Sequence, residues 1–455
     1  MAETEELSVR MHRREFLKRS AMTAAAVSLL GDQAVAGAQR QKPPNFLLVN
    51  CDDLGYGDLG CFGSESIATP NLDELAGSGV RFTDFYSCAP VCTPSRAGLV
   101  SGRYAQRLRL PRVLFPADHV GISDYEITVA QLLRDRGYAT ACIGKWHLGH
   151  LPQFLPTRHG FDYYFGIPYS NDMDTKGRKE PPTPLIRNEK IIEAPAVQET
   201  LTERYTQEAI GFVKKNKDRP FFVYLPHTMP HVPLHVSERF KGSSKRGLYG
   251  DVVETIDWGV GEIVKTLKAE GLERDTLVMF TSDNGPWLQQ KENGGSAGPL
   301  REGKGTAFEG GMRVPFIARW PGRIPAGSLC REPASNLDFL PTLVALAGGG
   351  VPDDRPIDGR DITPLLTGTG TLPDYAFFYN QGYSASAVRY GRWKLHVARR
   401  GQRIDEPELY DLEKDIGETS NLASEYPKLV AKLRAKIEEF QKTLDELAPP
   451  PAPSP

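Results

Sequence analysis

Two pairs of oxygen-bearing residues in this chain could hold a metal ion. Asp52-Asp53 heads the segment Asp52-Asp53-Leu54-Gly55, and Asp283-Asn284 lies in Ser282-Asp283-Asn284-Gly285. Adjacent carboxylates with an Asp-Asn pair form the hard-oxygen set that Ca²⁺ or Mg²⁺ takes. Without a cation, three neighbouring carboxylates repel until one takes up a proton. Either pair alone is also ordinary turn chemistry, Asp-Asn-Gly above all. A third element is Cys92, in Cys92-Thr93-Pro94-Ser95-Arg96-Ala97-Gly98-Leu99-Val100-Ser101-Gly102-Arg103. Pro94 suits the first turn of a helix that residues 97–101 can propagate. That puts residue 92 at a helix N-terminus, where unpaired N–H groups favour an anion, with Arg96 one turn on. A cysteine so placed is also what a small buried apolar residue looks like.

Basic groups accompany these acids. Lys145 and His147 stand two apart in Gly144-Lys145-Trp146-His147-Leu148-Gly149, so an extended backbone would project both to one side. His227 and His231 share a proline-stiffened loop, Pro226-His227-Thr228-Met229-Pro230-His231-Val232-Pro233, and Lys304 lies in the glycine-rich Gly303-Lys304-Gly305. Cations and proton-transfer groups aimed together fit work on an anionic ester. Each would be unremarkable alone.

Something must bring these segments to one place. Residues 45–50, 139–143, 221–225 and 276–281 are short, nearly continuous apolar runs, the pattern of strands covered on both faces of a parallel sheet. Between them, residues 71–76, 129–136, 201–215 and 252–267 read as helices, the second with Thr128 as N-cap. Strand–helix alternation predicts an α/β fold with helices on both sides. In such sheets ligands bind beyond the C-terminal strand ends, which is where Asp52 and Asp283 follow their runs. Texture changes to Gly, Pro and Asp at residues 348–354, a boundary. Strand-like runs at 376–379, 386–390 and 393–397, then 408–412 and a helix over 424–447, predict a smaller antiparallel sheet with a covering helix.

The chain has 455 residues, with 55 Lys and Arg against 57 Asp and Glu. That balance points to no nucleic-acid partner and no polybasic membrane patch. Arg13-Arg14-Glu15-Phe16-Leu17-Lys18 is a twin-arginine pattern followed by an apolar stretch over 21–30, and Ala34-Val35-Ala36 and Ala36-Gly37-Ala38 offer small-residue cleavage sites. A stretch of about ten residues is too short for a bilayer, which needs about twenty, so residues 1–38 are expected to be a bacterial export signal, with no membrane span and a periplasmic or secreted product. The expected organisation is then a main domain over 39–350, a C-terminal α+β subdomain over 351–448 and a disordered Pro-rich tail over 449–455. The six cysteines are too sparse for a disulfide scaffold. No pairing is assigned, although one among Cys51, Cys61 and Cys88 stays open.

Taken in order along the chain, these motifs resemble the formylglycine-dependent type I sulfatases of the alkaline phosphatase-like superfamily, and within them the branch of arylsulfatase A and N-acetylgalactosamine-6-sulfatase. Residues 306–313 and 408–412 also look like family sequence. The resemblance implies a large mixed, mostly parallel sheet sandwiched by helices, and hydrolysis of sulfuric esters. It implies that Cys92 is oxidised by a formylglycine-generating or other sulfatase-maturing enzyme to an aldehyde whose hydrate attacks sulfur. Asp52, Asp53, Asp283, Asn284 and residue 92 would bind Ca²⁺, with Mg²⁺ as the alternative. Arg96 would stabilise the hydrate, with Asp283 the carboxylate that activates it. Lys145, Lys304 and His231 would hold the sulfate oxygens. His231 or Lys304 would protonate the leaving alcohol, and His147 would hydrogen-bond the residue 92 hydroxyl and help remove its proton. His231 fits the family's histidine-X-Pro step better than His227, which is placed behind it. The substrate expected is a sulfated saccharide or aryl sulfate. A phosphonate monoester or phosphodiester hydrolase is the nearest rival, and a non-catalytic sulfated-glycan binder is the other. Arg107, Arg109, Arg112, Arg158, His159, residues 171–174 and Arg301 could line a sugar subsite, although most such loop positions are simply solvated.

Overall fold

In the computed structural model, which describes residues 42–173 and 181–446, the strand Asn45–Cys51 is buried from end to end. Its side chains alternate between two cores. Phe46 and Leu48 enter one, Leu47, Val49 and Cys51 the other, as the two-residue period of a strand requires. Helices Leu201–Lys215 and Leu248–Ala269 cover the Leu47 face through Tyr205, Ala209, Val252 and Ile256. Helices Cys92–Ser101, Val129–Arg134 and Phe339–Leu346 cover the Phe46 face through Leu99, Leu133 and Leu343. Removing a side chain such as Leu47 to Ala would cost roughly 2–5 kcal/mol.

Asn45–Cys51 lies between Thr276–Ser282 and Phe221–Pro226, and Ala139–Ile143 and Tyr163–Gly166 follow. These five run parallel. The edges turn the ten-stranded sheet mixed. Phe316–Arg319 pairs antiparallel with Thr276–Ser282, and beyond it come Val80–Phe82 and Ser328–Cys330. Leu185–Arg187 and Lys190–Glu193 close the other side as an antiparallel hairpin. The architecture is therefore a large, mostly parallel central sheet between helices, with a smaller antiparallel sheet near the C-terminus. The four expected strands are present, and Ala139–Ile143 and Leu201–Lys215 have the expected bounds. Thr128 caps its helix by accepting from the Gln131 N–H at 3.1 Å. The edge strands carry little sequence signal, because they are only three or four residues long and lack long apolar runs.

The smaller sheet runs in sequence order, Ala376–Gln381, Ser384–Tyr390, Trp393–Arg399 and Gln402–Asp411. Helix Pro427–Glu446 covers it with Leu433, Ile437 and Phe440 against Val388, Leu395 and Leu409. A buried polar knot ties this sheet to the segment after Lys304. Glu309 accepts from the Tyr86 and Tyr379 hydroxyls at 2.6 and 2.7 Å and from Lys394 Nζ at 2.9 Å. Gln381 Nε2 donates to the Gly305 carbonyl at 2.7 Å. All six cysteines are free. The expected export signal over 1–38 lies outside the described residues, as do Asp174 and the C-terminal tail over 449–455. Among the described residues no helix is long and apolar enough to cross a membrane.

Candidate active site

The C-terminal ends of two neighbouring parallel strands deliver the acids. Asp283 N–H donates to the Cys51 carbonyl at 3.0 Å, and Asp52 N–H to the Met229 carbonyl at 3.2 Å. The chain then turns sharply at Asp53, whose φ is 66°. Asp53 N–H meets Asp283 Oδ1 at 3.3 Å, and Asn284 Nδ2 donates to Asp53 Oδ1 at 2.7 Å. Gly285 is required next. A Cβ there would stand 1.8 Å from the Gly310 carbonyl oxygen, so the motif seats directly on the Glu309–Met312 turn. Asp52, Asp283 and Asn284 are fully buried and Asp53 nearly so.

Cys92 is the first residue of helix Cys92–Ser101, as its sequence predicts, and its Sγ lies 3.4 Å from Asp52 Oδ1. Burial, with Asp52 adding, pushes this thiol far above its ordinary range. A buried protonated thiol is a poor nucleophile. Arg96, one turn on, is wholly buried. Its Nε donates to Asp283 Oδ2 at 2.9 Å and its Nη1 to the Lys145 carbonyl at 2.8 Å.

Both lysines reach the acids. Lys145 Nζ pairs with Asp52 Oδ2 and donates to Ser170 Oγ at 3.0 Å. Lys304 Nζ pairs with Asp53 Oδ2 at 2.8 Å, and His231 Nε2 faces the same oxygen at 3.6 Å. Burial opposes ionisation of Asp52, but Lys145, His231, Arg96 and Lys304 outweigh it and hold the carboxyl well below the usual range. Asp283 goes the other way, raised by burial to about 7 against the pull of Arg96. Burial, then Lys304, lowers His231. Its Nδ1 faces the Val232 carbonyl, which leaves Nε2 toward the carboxylates.

The 144–149 segment corrects one expectation. It is not an extended continuation of its strand, because Gly144 has φ 134° and His147 has φ 59°. A Cβ on Gly144 would meet the Pro226 carbonyl oxygen at 1.8 Å, so the backbone must fold under the neighbouring strand end. His147 Nε2 contacts the Leu114 carbonyl at 2.9 Å, and its Nδ1 is buried without a partner. Burial, then Lys145, holds its pKa well below the ordinary value. The ring is therefore neutral, with the proton on Nε2 and a free acceptor at Nδ1. His227 sits in the core against Tyr205 with both ring nitrogens unpartnered.

The loop residues that could line a subsite mostly have structural tasks. Arg107 is buried on Asp358 and Thr443. Buried His159 stacks on Trp146. Arg301 donates to the Glu418 carbonyl at 2.6 Å, and Asn171 Nδ2 to the Pro233 carbonyl at 3.0 Å. Arg112 and Arg158 are exposed, in ion pairs with Asp118 and Glu189. Arg109 is exposed. Two neighbours of the site carried no sequence signal: Ser170, a lone serine in a loop, and Trp287, which lies against His231 and Lys304.

Asp52, Asp53, Cys92 and His231 each offer a ligand atom, and these atoms lie within 4.8 Å of one another. Asn284 Oδ1 is buried with no hydrogen-bond partner beside them. A buried acidic cluster with an orphaned amide oxygen suits a hard divalent cation.

The model of the sulfatase family matches residues 44–349. The chain belongs to the sulfatase family. Residues 303–443 also match the C-terminal region of N-sulphoglucosamine sulphohydrolase. This sulfatase is 41% identical to human arylsulfatase A over 431 residues, 85% of either chain. It is 42% identical to canine N-acetylgalactosamine-6-sulfatase over 388 residues, 81% of this chain and 74% of that one. The PsFucS1 sulfatase from Pseudoalteromonas superposes with a TM-score of 0.81 at 28% identity, over 94% of this chain and 95% of that one. Family and buried site together make it a sulfatase-type hydrolase of sulfated substrates.

Proposed function

We propose that this sulfatase releases inorganic sulfate from a sulfated saccharide or aryl sulfate through a formylglycine made from Cys92, with Ca²⁺, or Mg²⁺ in its place, held by Asp52, Asp53, Asp283, Asn284 and residue 92. The observation that carries this reading is the seat of Cys92. It is buried at a helix N-terminus with its side chain against Asp52, inside the one 4.8 Å cluster found among the described residues. Formylglycine would supply a hydrated aldehyde as nucleophile, and the cation would polarise the sulfuryl oxygens.

The chain's own groups divide the remaining work. Three carboxylates, Asp52, Asp53 and Asp283, face three permanent cations, Arg96, Lys145 and Lys304. A divalent cation added to that balanced set leaves the site positive, complementary to a sulfate ester. Asp52 stays ionised and orients residue 92. Asp283 would be the carboxylate that activates the residue 92 hydroxyl. Lys145 and Lys304 hold sulfate oxygens. Lys304 is kept charged by Asp53 against burial, and His231, whose Nδ1 faces the Val232 carbonyl, is the group that would protonate the leaving oxygen, with Lys304 as the alternative. Free Nδ1 of His147 accepts the proton of the residue 92 hydroxyl.

Conversion of Cys92 calls for a maturing enzyme as partner. The side chain is 1% exposed and every residue of its helix is buried, so such an enzyme acts before this segment packs. Export as a folded protein by the twin-arginine pattern would then follow maturation, giving a periplasmic or secreted enzyme. Mass spectrometry of the Cys92 peptide, with sulfate release measured on sulfated sugars, 4-nitrophenyl sulfate and a phosphonate monoester, tests the reading. An aldehyde with preference for sulfate supports it. An intact thiol in active protein, or a large phosphonate preference, overturns it.

A further inference from the structure

Trp287 takes no part in the chemistry above, yet it touches both groups on the leaving side of the ester. Its ring centroid lies 5.6 Å from that of His231, and Lys304 Nζ stands 4.6 Å from it. The indole is partly exposed, and the next residue, Leu288, is 39% exposed. Among the described residues the indole N–H has no acceptor, whereas those of Trp146 and Trp320 donate to the Phe154 and Arg274 carbonyls. The backbone beneath it is fixed. Lys304 N–H donates to the Pro286 carbonyl at 2.9 Å, and a Cβ on Gly303 would meet that oxygen at 2.4 Å and Leu288 Cγ at 2.9 Å. Trp287 is thus held against the lysine loop, partly exposed and with its indole N–H free of any acceptor among the described residues.

From this placement we infer that Trp287 is the platform for the ring of the leaving alcohol, a pyranose or an aryl group. The inference rests on the sulfatase reading, because it takes His231 and Lys304 as the groups at the bridging oxygen. What lies beyond that oxygen is the carbon skeleton of the alcohol, and the indole is the surface beside it. A flat π face packs against pyranose C–H groups or an aryl ring, and the free indole N–H can donate to a ring hydroxyl. Rigid aromatic contact of this kind selects ring-bearing esters over acyclic ones without touching the sulfuryl group.

Kinetics of the mature enzyme and of Trp287→Ala and Trp287→Phe separate this role from a structural one. The substrates are galactose 6-sulfate, 4-nitrophenyl sulfate and the ringless ethyl sulfate, with inorganic sulfate as inhibitor. Trp287→Ala should raise KM for the ring-bearing esters about five- to tenfold, with kcat within about twofold. KM for ethyl sulfate and inhibition by sulfate should hold, and Trp287→Phe should restore most of the loss. Effects on the sugar and aryl esters compared with each other tell which ring the platform prefers. Equal losses on ethyl sulfate with weaker sulfate inhibition would mean that Trp287 only props Lys304 and His231, and overturn the inference. So would an unchanged KM for both ring esters. A wild-type enzyme that hydrolysed no sulfate ester would instead sink the sulfatase reading. Indole fluorescence then decides the platform by itself: in Cys92→Ala, phenyl sulfate or galactose 6-sulfate should give a change that Trp287→Phe abolishes, and no such change overturns it.

Discussion

Arg96 and Asp283 form an ion pair that water does not reach, with Nε and Nη2 of the guanidinium 2.9 and 2.7 Å from one carboxylate oxygen and both side chains 0% exposed. The same guanidinium lies 3.7 Å from Asp52. A helix from one side of the sheet therefore clamps the ends of two parallel strands.

Arg96→Ala should accordingly damage the fold as well as the chemistry. It leaves Asp283 and Asp52 short of a buried counter-charge, a change that costs about 3–5 kcal/mol. Arg96→Lys keeps the charge but loses the planar fork and should cost less. Urea unfolding midpoints check the order. Arg96→Ala as stable as wild type would show that the clamp carries no weight.

Cys92→Ser tests the opposite combination. Serine is close in size to cysteine and keeps a donor toward Asp52, so the unfolding midpoint should stay within about 1 kcal/mol of wild type. Turnover should fall by at least about a hundredfold where mass spectrometry shows the serine left unoxidised, because its sulfate ester cannot be shed by reforming an aldehyde. Sulfate release near the wild-type rate would rule out the residue 92 nucleophile.

Part of this site is readable from the sequence alone. Asp52 and Asp283 were legible because each ends a long apolar run, and parallel strands buried on both faces put such ends side by side. Cys92 was legible through the resemblance of residues 92–103 to the sulfatase motif, since the proline and arginine spacing alone is a weak signal. His147 was legible as a residue but not as a geometry, because no pattern announces a positive φ at a non-glycine position. The pairing of Lys145 with Asp52 and of Lys304 with Asp53 joins residues 93 and 251 apart, and depends on strand order that periodicity does not encode. Trp287 carried no signal, since one aromatic in a polar loop matches no template. Arg107 and His159 misled because a charged or aromatic loop residue looks solvent-facing until its partner is known.

Chelation should lower the melting temperature by several degrees, and added Ca²⁺ should restore it, since a cation bound only by the folded state stabilises it by mass action. Asn284→Ala removes the orphaned Oδ1 and should abolish most of the Ca²⁺-dependent rise. Thermal scans with and without chelator read both effects. A melting temperature indifferent to chelator and to this substitution would dispose of the cation site.

Buried His159 makes stability depend on pH. Burial lowers its pKa from 6.5 to about 4, so between those values the unfolded chain binds the proton that the folded chain refuses. Its contribution is complete above about pH 6.5 and is lost as pH falls toward 4, at about 1.4 kcal/mol per unit at most. His159→Gln, which cannot protonate, should flatten melting temperature against pH across that window. Parallel curves for the two proteins would contradict the assignment.

Lys145 and Lys304 should part company in stability while agreeing in activity. Lys145 and its partner Asp52 are both 0% exposed at the side chain, against 12% and 4% for Lys304 and Asp53. Lys145→Met strands Asp52 in a dry site and also empties the Ser170 contact, so it should destabilise by several kcal/mol. Lys304→Met leaves Asp53 with Asn284 Nδ2 and His231 still beside it, and water reaches the vacated position, so the cost should be about 1–2 kcal/mol. Both variants remove a fixed positive charge proposed to hold the sulfuryl oxygens, and such charges act most strongly in water-excluded sites. Each should therefore lower kcat/KM by roughly a hundredfold or more. Melting temperature and kcat/KM measured on the same preparations decide the matter, because a loss of activity in Lys304→Met that merely tracked lost stability would deny Lys304 its place on the substrate.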